Sequence, residues 1–266
     1  MAHNGYVHTM TRTNLTAYMK WRAKPWEVDD LLYERMPMLA VRNYLSEESN
    51  EWPLCWTKGR PIRLGLSTCI EALKAWQAFR PGGGKATRRH LQVCVPRVVE
   101  GLQRWLRDKE VYRPQDARGK TRAALVKRMA RAVATVSACK RTRNPNPMLG
   151  SKVLHFFFPE FFPVWDTAWI KKTLDRLKLT SSPVQPSKGH GQWGRAADAY
   201  AVYIDLMFRD MDATPKRAME NLKKTVSKSK GHPAFKTILD DNLWDLTPIL
   251  FELCLMGRGR ARGVLP

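Results

Sequence analysis

Acid is scarce beside base in this 266-residue chain: 24 Asp and Glu stand against 46 Lys and Arg, a net charge of +22. From Ala117 to Pro159 there is no acidic residue, while Arg118, Lys120, Arg122, Lys127, Arg128, Arg131, Lys140, Arg141, Arg143 and Lys152 all fall in that stretch. A field of that sign draws polyanions and opposes close self-association, so a nucleic-acid backbone is the expected partner and a monomer the expected state. Long hydrophobic runs are also missing. Membrane surfaces are the alternative anion, but no apolar stretch approaches the roughly 20 residues a membrane-spanning helix needs, so no membrane partner is expected. The first residues, MAHNGYVHTM, carry neither the charged head nor the apolar core of a secretory signal, and a cytoplasmic location is expected. Cysteine is scarce and scattered. Cys55, Cys69, Cys94, Cys139 and Cys254 are odd in number and have no CxxC spacing. That pattern speaks for a reducing compartment and against a zinc or iron–sulfur site, so no metal and no cofactor is expected.

Strand-like alternation and internal repeats are absent as well; what is present is helical period. Apolar residues make up 44% of the chain, enough for a packed core. Residues 29–44 place Leu31, Leu32, Met36, Leu39 and Tyr44 on one stripe. Ser67 can cap a helix whose inner face holds Ile70, Leu73, Trp76 and Phe79, ended by the glycines after Pro81. Residues 88–107 form an amphipathic stretch that Pro96 is expected to interrupt. Leu125, Met129, Val133 and Val136 line the next helix, Ile170, Leu174 and Leu177 another, and Ala199, Val202, Leu206 and Met207 a long one. Residues 215–230 read as a basic helix and 246–256 as a final apolar one, with the low-complexity residues 257–266 as a basic tail. The expected class is all-α. The expected organisation is an N-terminal segment 1–60 packing with the C-terminal part, a central subdomain 61–165 with a hairpin at 144–151, and a C-terminal subdomain 166–256, the two subdomains meeting at a cleft.

The densest chemistry lies in residues 147–169, PMLGSKVLHFFFPEFFPVWDTAW. Helix, turn and helix are expected, with Pro145, Pro147 and Gly150 enforcing the turn. A turn of that kind points backbone N–H groups from the start of the second helix, where a phosphate binds favourably, and Ser151 and Lys152 stand where side chains can add to the grip. The same pattern also suits an ordinary helix connector. Asp166 precedes TAWIKKTLDRL, an amphipathic helix, and so falls at its N-cap or first turn, where the helix dipole favours an ionised carboxylate. A structural cap fits that position equally. His155, on the second helix, reads as a hydrogen-bonded core residue.

Taken together, these residues resemble the helix-hairpin-helix DNA glycosylase superfamily. Pro147-Met-Leu-Gly150-Ser-Lys152-Val is similar to that family's Pro-Gly-Val-Gly-Thr-Lys-Val hairpin, and Phe162-Pro-Val-Trp-Asp166 to the Phe-Pro-Ile-Leu-Asp of adenine glycosylases. The resemblance covers about 25 residues. It implies a helix-hairpin-helix glycosylase-like fold with Asp166 as the catalytic carboxylate. It also implies a DNA-backbone grip from Asn146, Met148, Gly150 and Ser151, with Lys140, Arg141, Arg143 and Lys188 beside it. Met148 stands where the family has its first hairpin glycine. Lys152 and Asp166 are 14 residues apart, about four fewer than in family members with a nucleophilic lysine. Four residues are close to one helical turn, so Lys152 keeps nearly the same face and can be a Schiff-base nucleophile or a phosphate contact. A monofunctional enzyme is expected, with lyase activity open.

A target base must leave the stack into a pocket of π-faces and polar edges. The aromatic candidates are Phe161, Phe162, Trp165, Trp169 and Trp193, most of them expected to be core. The loop Ser187-Lys-Gly-His-Gly-Gln-Trp193-Gly adds His190 and Gln192 as edge-reading donors. The resemblance implies base excision from double-stranded DNA, without an iron–sulfur cluster. A phage-defence role on a glucosylated hydroxymethylcytosine suits so basic a chain. Two other classes compete: a non-enzymatic duplex-binding clamp and an RNA-binding helical protein.

Overall fold

The computed structural model describes residues 8–21, 70, 84–138, 147–179, 192–227 and 247–265. These residues are helical with short connections, and among them there is no strand. The helices are α1 (Arg12–Trp21), α2 (Gly84–Asp108), α3 (Gly119–Ser137), α4 (Pro147–Phe157), α5 (Lys172–Arg176), α6 (Gln192–Ala213), α7 (Lys216–Ser227) and α8 (Thr247–Ala261). A 3₁₀ turn, Pro114–Asp116, precedes α3, and a π-helical turn, Thr167–Lys171, leads into α5. The stripes expected at 29–44 and after Ser67 lie outside the described residues, apart from Ile70, which is buried.

α3 is the central element. Leu125, Met129, Val133 and Val136 are buried while Lys120, Lys127, Arg128 and Arg131 are exposed, so the expected stripe faces inward. α3 packs on α2, α4 and α6. Its approach to α4 is close. A Cβ added to Gly150 would stand 2.2 Å from the Val133 carbonyl oxygen, and the Gly150 N–H donates to Ser137 Oγ at 3.0 Å. Gly150 therefore lies within the first turns of α4, and its lack of a side chain serves helix packing.

α1 lies along α8. Here the close contact is Gly257, where an added Cβ would stand 1.9 Å from the Asn14 carbonyl oxygen. The segment leading into α1 is anchored to α6: Thr9 N–H donates to Asp210 Oδ1 at 2.7 Å and Met10 N–H to Asp210 Oδ2. Arg258 Nη1 donates to Thr9 Oγ1 at 3.0 Å, and both residues are buried. Burial of Asp210 and Arg258 is tolerable because backbone and hydroxyl groups meet them.

Three local expectations are corrected. α2 runs through Pro96 without a break; the carbonyl that would have received its N–H belongs to the exposed Gln92, where water can satisfy it. Residues 257–261 are the last turn of α8 rather than a tail, and Gly257, Arg258 and Gly259 are buried because the glycines admit α1 and α5 at close range. α6 begins at Gln192, so Gln192, Trp193 and Gly194 belong to a helix and not to the preceding loop. Buried apolar side chains of the described residues form one cluster from Met10 to Leu255, in which the central and C-terminal segments interleave.

Candidate active site at the Asp166 helix entry

α4 ends at Phe157, and the chain turns at Pro159 with Phe161 N–H and Phe162 N–H both donating to the Phe158 carbonyl at 3.0 and 3.1 Å. From there to Trp165 the chain lies outside regular helix and every residue is buried. Buried peptide groups must find partners elsewhere. They find them on three helices. His155 Nδ1–H donates to the Phe162 carbonyl at 2.5 Å; since a carbonyl only accepts, the proton sits on Nδ1. Tyr200 Oη–H donates to the Pro163 carbonyl at 2.6 Å and Tyr203 Oη–H to the Val164 carbonyl at 3.3 Å. Val164 N–H donates to Glu252 Oε1 at 2.5 Å, and Trp165 N–H to Ser151 Oγ at 2.9 Å. Ser151 in turn donates to the Met148 carbonyl at 3.1 Å. α4, α6 and α8 thus jointly hold the approach to Asp166.

Asp166 has extended backbone angles, φ −130° and ψ 134°, and is half-buried. Its Oδ1 accepts the Trp169 N–H at 2.9 Å, the N-cap geometry expected of it. No described residue hydrogen-bonds the second oxygen, Oδ2. The Asp166 carbonyl accepts from Lys171 N–H at 2.9 Å, five residues on, which widens the first turn; π-turns of this kind recur at functional sites. Burial, and after it the charge of Glu252, pushes the Tyr200 phenol well above its ordinary range.

The remaining candidates divide cleanly. Phe161 and Phe162 are 1% exposed and Trp165 5%, so these three are core rather than the walls of an open pocket. The turn at Pro159 folds them inward. Phe162 stacks with Tyr200 at 6.5 Å between centroids, and Trp165 meets Tyr203 edge-on at 5.5 Å. Of the described aromatic candidates, Trp169 is the one part-exposed beside Asp166. Ser151 is fully buried, and Gly150 has its N–H on Ser137, so neither faces outward for a phosphate. Met148 is partly buried against the core. Lys152 is also inside, at 7% exposure. Lys140, Arg141, Arg143, Asn146, Lys188 and His190 lie outside the described residues, as do the side chains of Gln192 and Trp193.

Tyr200, Tyr203 and Glu252 are the positioning residues that motif reading missed. Glu252 did carry a signal, as the lone carboxylate in the apolar run PILFELCLM. An open depression of about 420 Å³ is lined by Gln115, Arg118, Gly119, Arg122, Met211 and Asp212; it does not include Asp166, and Arg122 is already committed to Asp212, Nη2 to Oδ1 at 3.0 Å. Among the described residues no group of three or more His, Cys, Asp or Glu side chains could hold a metal ion, and no helix is long and apolar enough to cross a membrane. No family model, curated protein or solved structure matches the chain.

Proposed function

We propose that this protein is a DNA glycosylase that uses Asp166 to hydrolyse the N-glycosidic bond of a base flipped from duplex DNA. The observation that carries the reading is the fixed carboxylate. A simple N-cap contributes about 1 kcal/mol and does not need its approach held from α4, α6 and α8. Here the peptide groups of Phe162, Pro163, Val164 and Trp165 are each tied down, and one Asp166 oxygen is bonded while no described residue occupies the other. Preorganised charge of this kind is what glycosidic cleavage requires. As the C1′–N bond breaks, its electron pair leaves with the base, which takes up a proton, and positive charge grows on the sugar. The Asp166 carboxylate stabilises that charge and accepts a proton from the water whose oxygen bonds C1′. The product is an abasic site. Hydrolysis by water makes no demand on Lys152, whose burial fits a monofunctional enzyme.

The test is Asp166→Asn. Asparagine can still cap the turn, so the fold and DNA affinity should hold while base release falls on the order of 10²–10³-fold. Release would be measured as alkali-labile sites in duplexes bearing uracil, 8-oxoguanine, alkylated purines or glucosylated hydroxymethylcytosine. Equal release by wild type and variant would remove Asp166 from the chemistry. Tight binding with no release from any substrate would instead favour a non-enzymatic clamp.

A further inference from the structure

Among the described residues, α2 and α3 carry an exposed basic surface that does not include Asp166. The two helices are antiparallel neighbours. His90 Nε2–H, near the start of α2, donates to the Thr135 carbonyl, near the end of α3, at 3.2 Å. Nearer the other end, the Arg128 guanidinium lies over the Trp105 ring at 5.1 Å. On α3 the exposed residues Lys120, Lys127, Arg128 and Arg131 occupy one arc of roughly 100°, set by 3.6 residues per turn. That arc lies opposite the Val133–Ser137 side that meets α4. On α2, Arg97 and Arg104 are exposed and lie on the flank shared with His90 and Trp105. Glu100 and Asp108 are the carboxylates of α2, and α3 has none.

Between these arginines stands Gly101, exposed and in the interior of a 25-residue helix. Glycine weakens a helix interior. At Gly150 and Gly257 packing explains it, since a Cβ there would collide with backbone. At Gly101 a Cβ would meet no described residue within 4 Å, so no packing contact among the described residues requires glycine there. What glycine does provide is bare backbone beside two arginines, where another chain can come close. We infer that α2 and α3 form a phosphate-backbone-binding face for duplex DNA, with Arg97, Arg104, Lys127, Arg128 and Arg131 as the contacts and Gly101 as the point of closest approach. Arg97 and Arg104 are about 10 Å apart along the helix axis, at 1.5 Å per residue. That length corresponds to roughly three base-pair steps at 3.4 Å each. Arg128, stacked on Trp105, has its planar donors pre-oriented for phosphate oxygens. The face positions the duplex and carries no sequence information.

The inference rests on the proposed DNA substrate, and the experiment separates the two. Binding of the full chain to a labelled 20-base-pair duplex of arbitrary sequence would be followed by anisotropy across a salt series. Wild type would be compared with Arg97→Gln/Arg104→Gln/Arg131→Gln and with Lys216→Gln/Arg217→Gln/Lys224→Gln on α7, which removes the same charge elsewhere. Melting temperatures would verify folding. Loss of the α2–α3 charges should raise Kd at least about tenfold and flatten the slope of log K against log[salt] by about 2 to 3, near 0.9 per phosphate contact. The α7 variant should change the slope by less than about 1. Gly101→Glu, which puts a carboxylate on the floor of the face, should weaken binding without lowering the melting temperature. If wild type does not bind the duplex, the DNA reading fails and the face with it. Should wild type bind while both triple variants shift alike, or Gly101→Glu bind as wild type does, the face alone is overturned. Preference for a single-stranded RNA of equal length over the duplex would also overturn it.

Discussion

Tyr200 shows how much can rest on one side chain. It is fully buried, its hydroxyl holds the Pro163 carbonyl, and burial followed by the Glu252 charge pushes its pKa well above the ordinary value. In the unfolded chain the same phenol titrates near pH 10. Above that pH the unfolded state gives up a proton that the folded state keeps, so stability present below pH 10 is lost as the pH rises. The slope from one such group approaches about 1.4 kcal/mol per pH unit. Burial, and after it Asp210, likewise raises the Cys254 thiol, which adds a loss of the same sign from the ordinary thiol range upward. Urea titrations of wild type and Tyr200→Phe between pH 8 and 11.5 separate the two. The variant should be weaker at pH 8 by about 1–3 kcal/mol, the cost of leaving a buried carbonyl without its donor. It should also lose less stability per pH unit above 10. Parallel curves would mean that Tyr200 does not drive the alkaline response.

At the scale of elements, close helix contacts decide the architecture, and glycine makes two of them possible. Gly257→Ala must push the Asn14 carbonyl of α1 away from α8, and Gly150→Ala must push the Val133 carbonyl of α3 away from α4. Overpacking of that kind costs about 1–3 kcal/mol, more than the roughly 1 kcal/mol alanine gains in helix propensity. Both variants should therefore have lower denaturant midpoints, and in Gly257→Ala amide exchange should quicken first in α1. Gly101→Ala should move the opposite way, since its Cβ meets no described residue within 4 Å. A common sign for all three would contradict the packing account. These contacts also mark what was legible in the sequence. The stripe of α3 and the N-cap at Asp166 followed from helical spacing and cap chemistry, which are local. Gly150, Gly257 and Gly259 were not legible, because a glycine that ends a helix and one that lets two helices touch look alike without the partner. The role of Ser151 was hidden for the same reason: its acceptor serves Trp165, 14 residues away. Tyr200 and Glu252 lie farther still from the loop they hold, at separations of 37 and 88 residues. Pro96 misled in the other direction, because an exposed helix face can leave one carbonyl to water.

For the whole molecule, the net charge of +22 sets two responses to salt that must oppose each other. Among the described residues the ion pair between Arg122 and Asp212, which bridges elements, is partly exposed and contributes little. With so large an excess of one sign, repulsion among the cations dominates the electrostatic free energy of the free protein, and compaction brings them closer together. Raising salt from 50 to 300 mM shortens the screening length to below about 10 Å, which relieves that repulsion. The melting temperature of the free protein should rise over this range. Duplex affinity should fall steeply over the same range, because each phosphate contact displaces a condensed counterion whose release is worth less in a saltier solution. Six or more contacts would lower it by about 10³-fold or more between 50 and 200 mM. Stabilisation by added duplex, being RT ln(1 + [L]/Kd), should then be large at 50 mM and vanish by 300 mM. Melting curves with and without duplex at each salt concentration test both responses. If salt destabilises the free protein, attractive pairs outweigh repulsion and the charge excess is not what governs the fold. If duplex stabilises equally at all salts, binding is not dominated by the phosphate backbone.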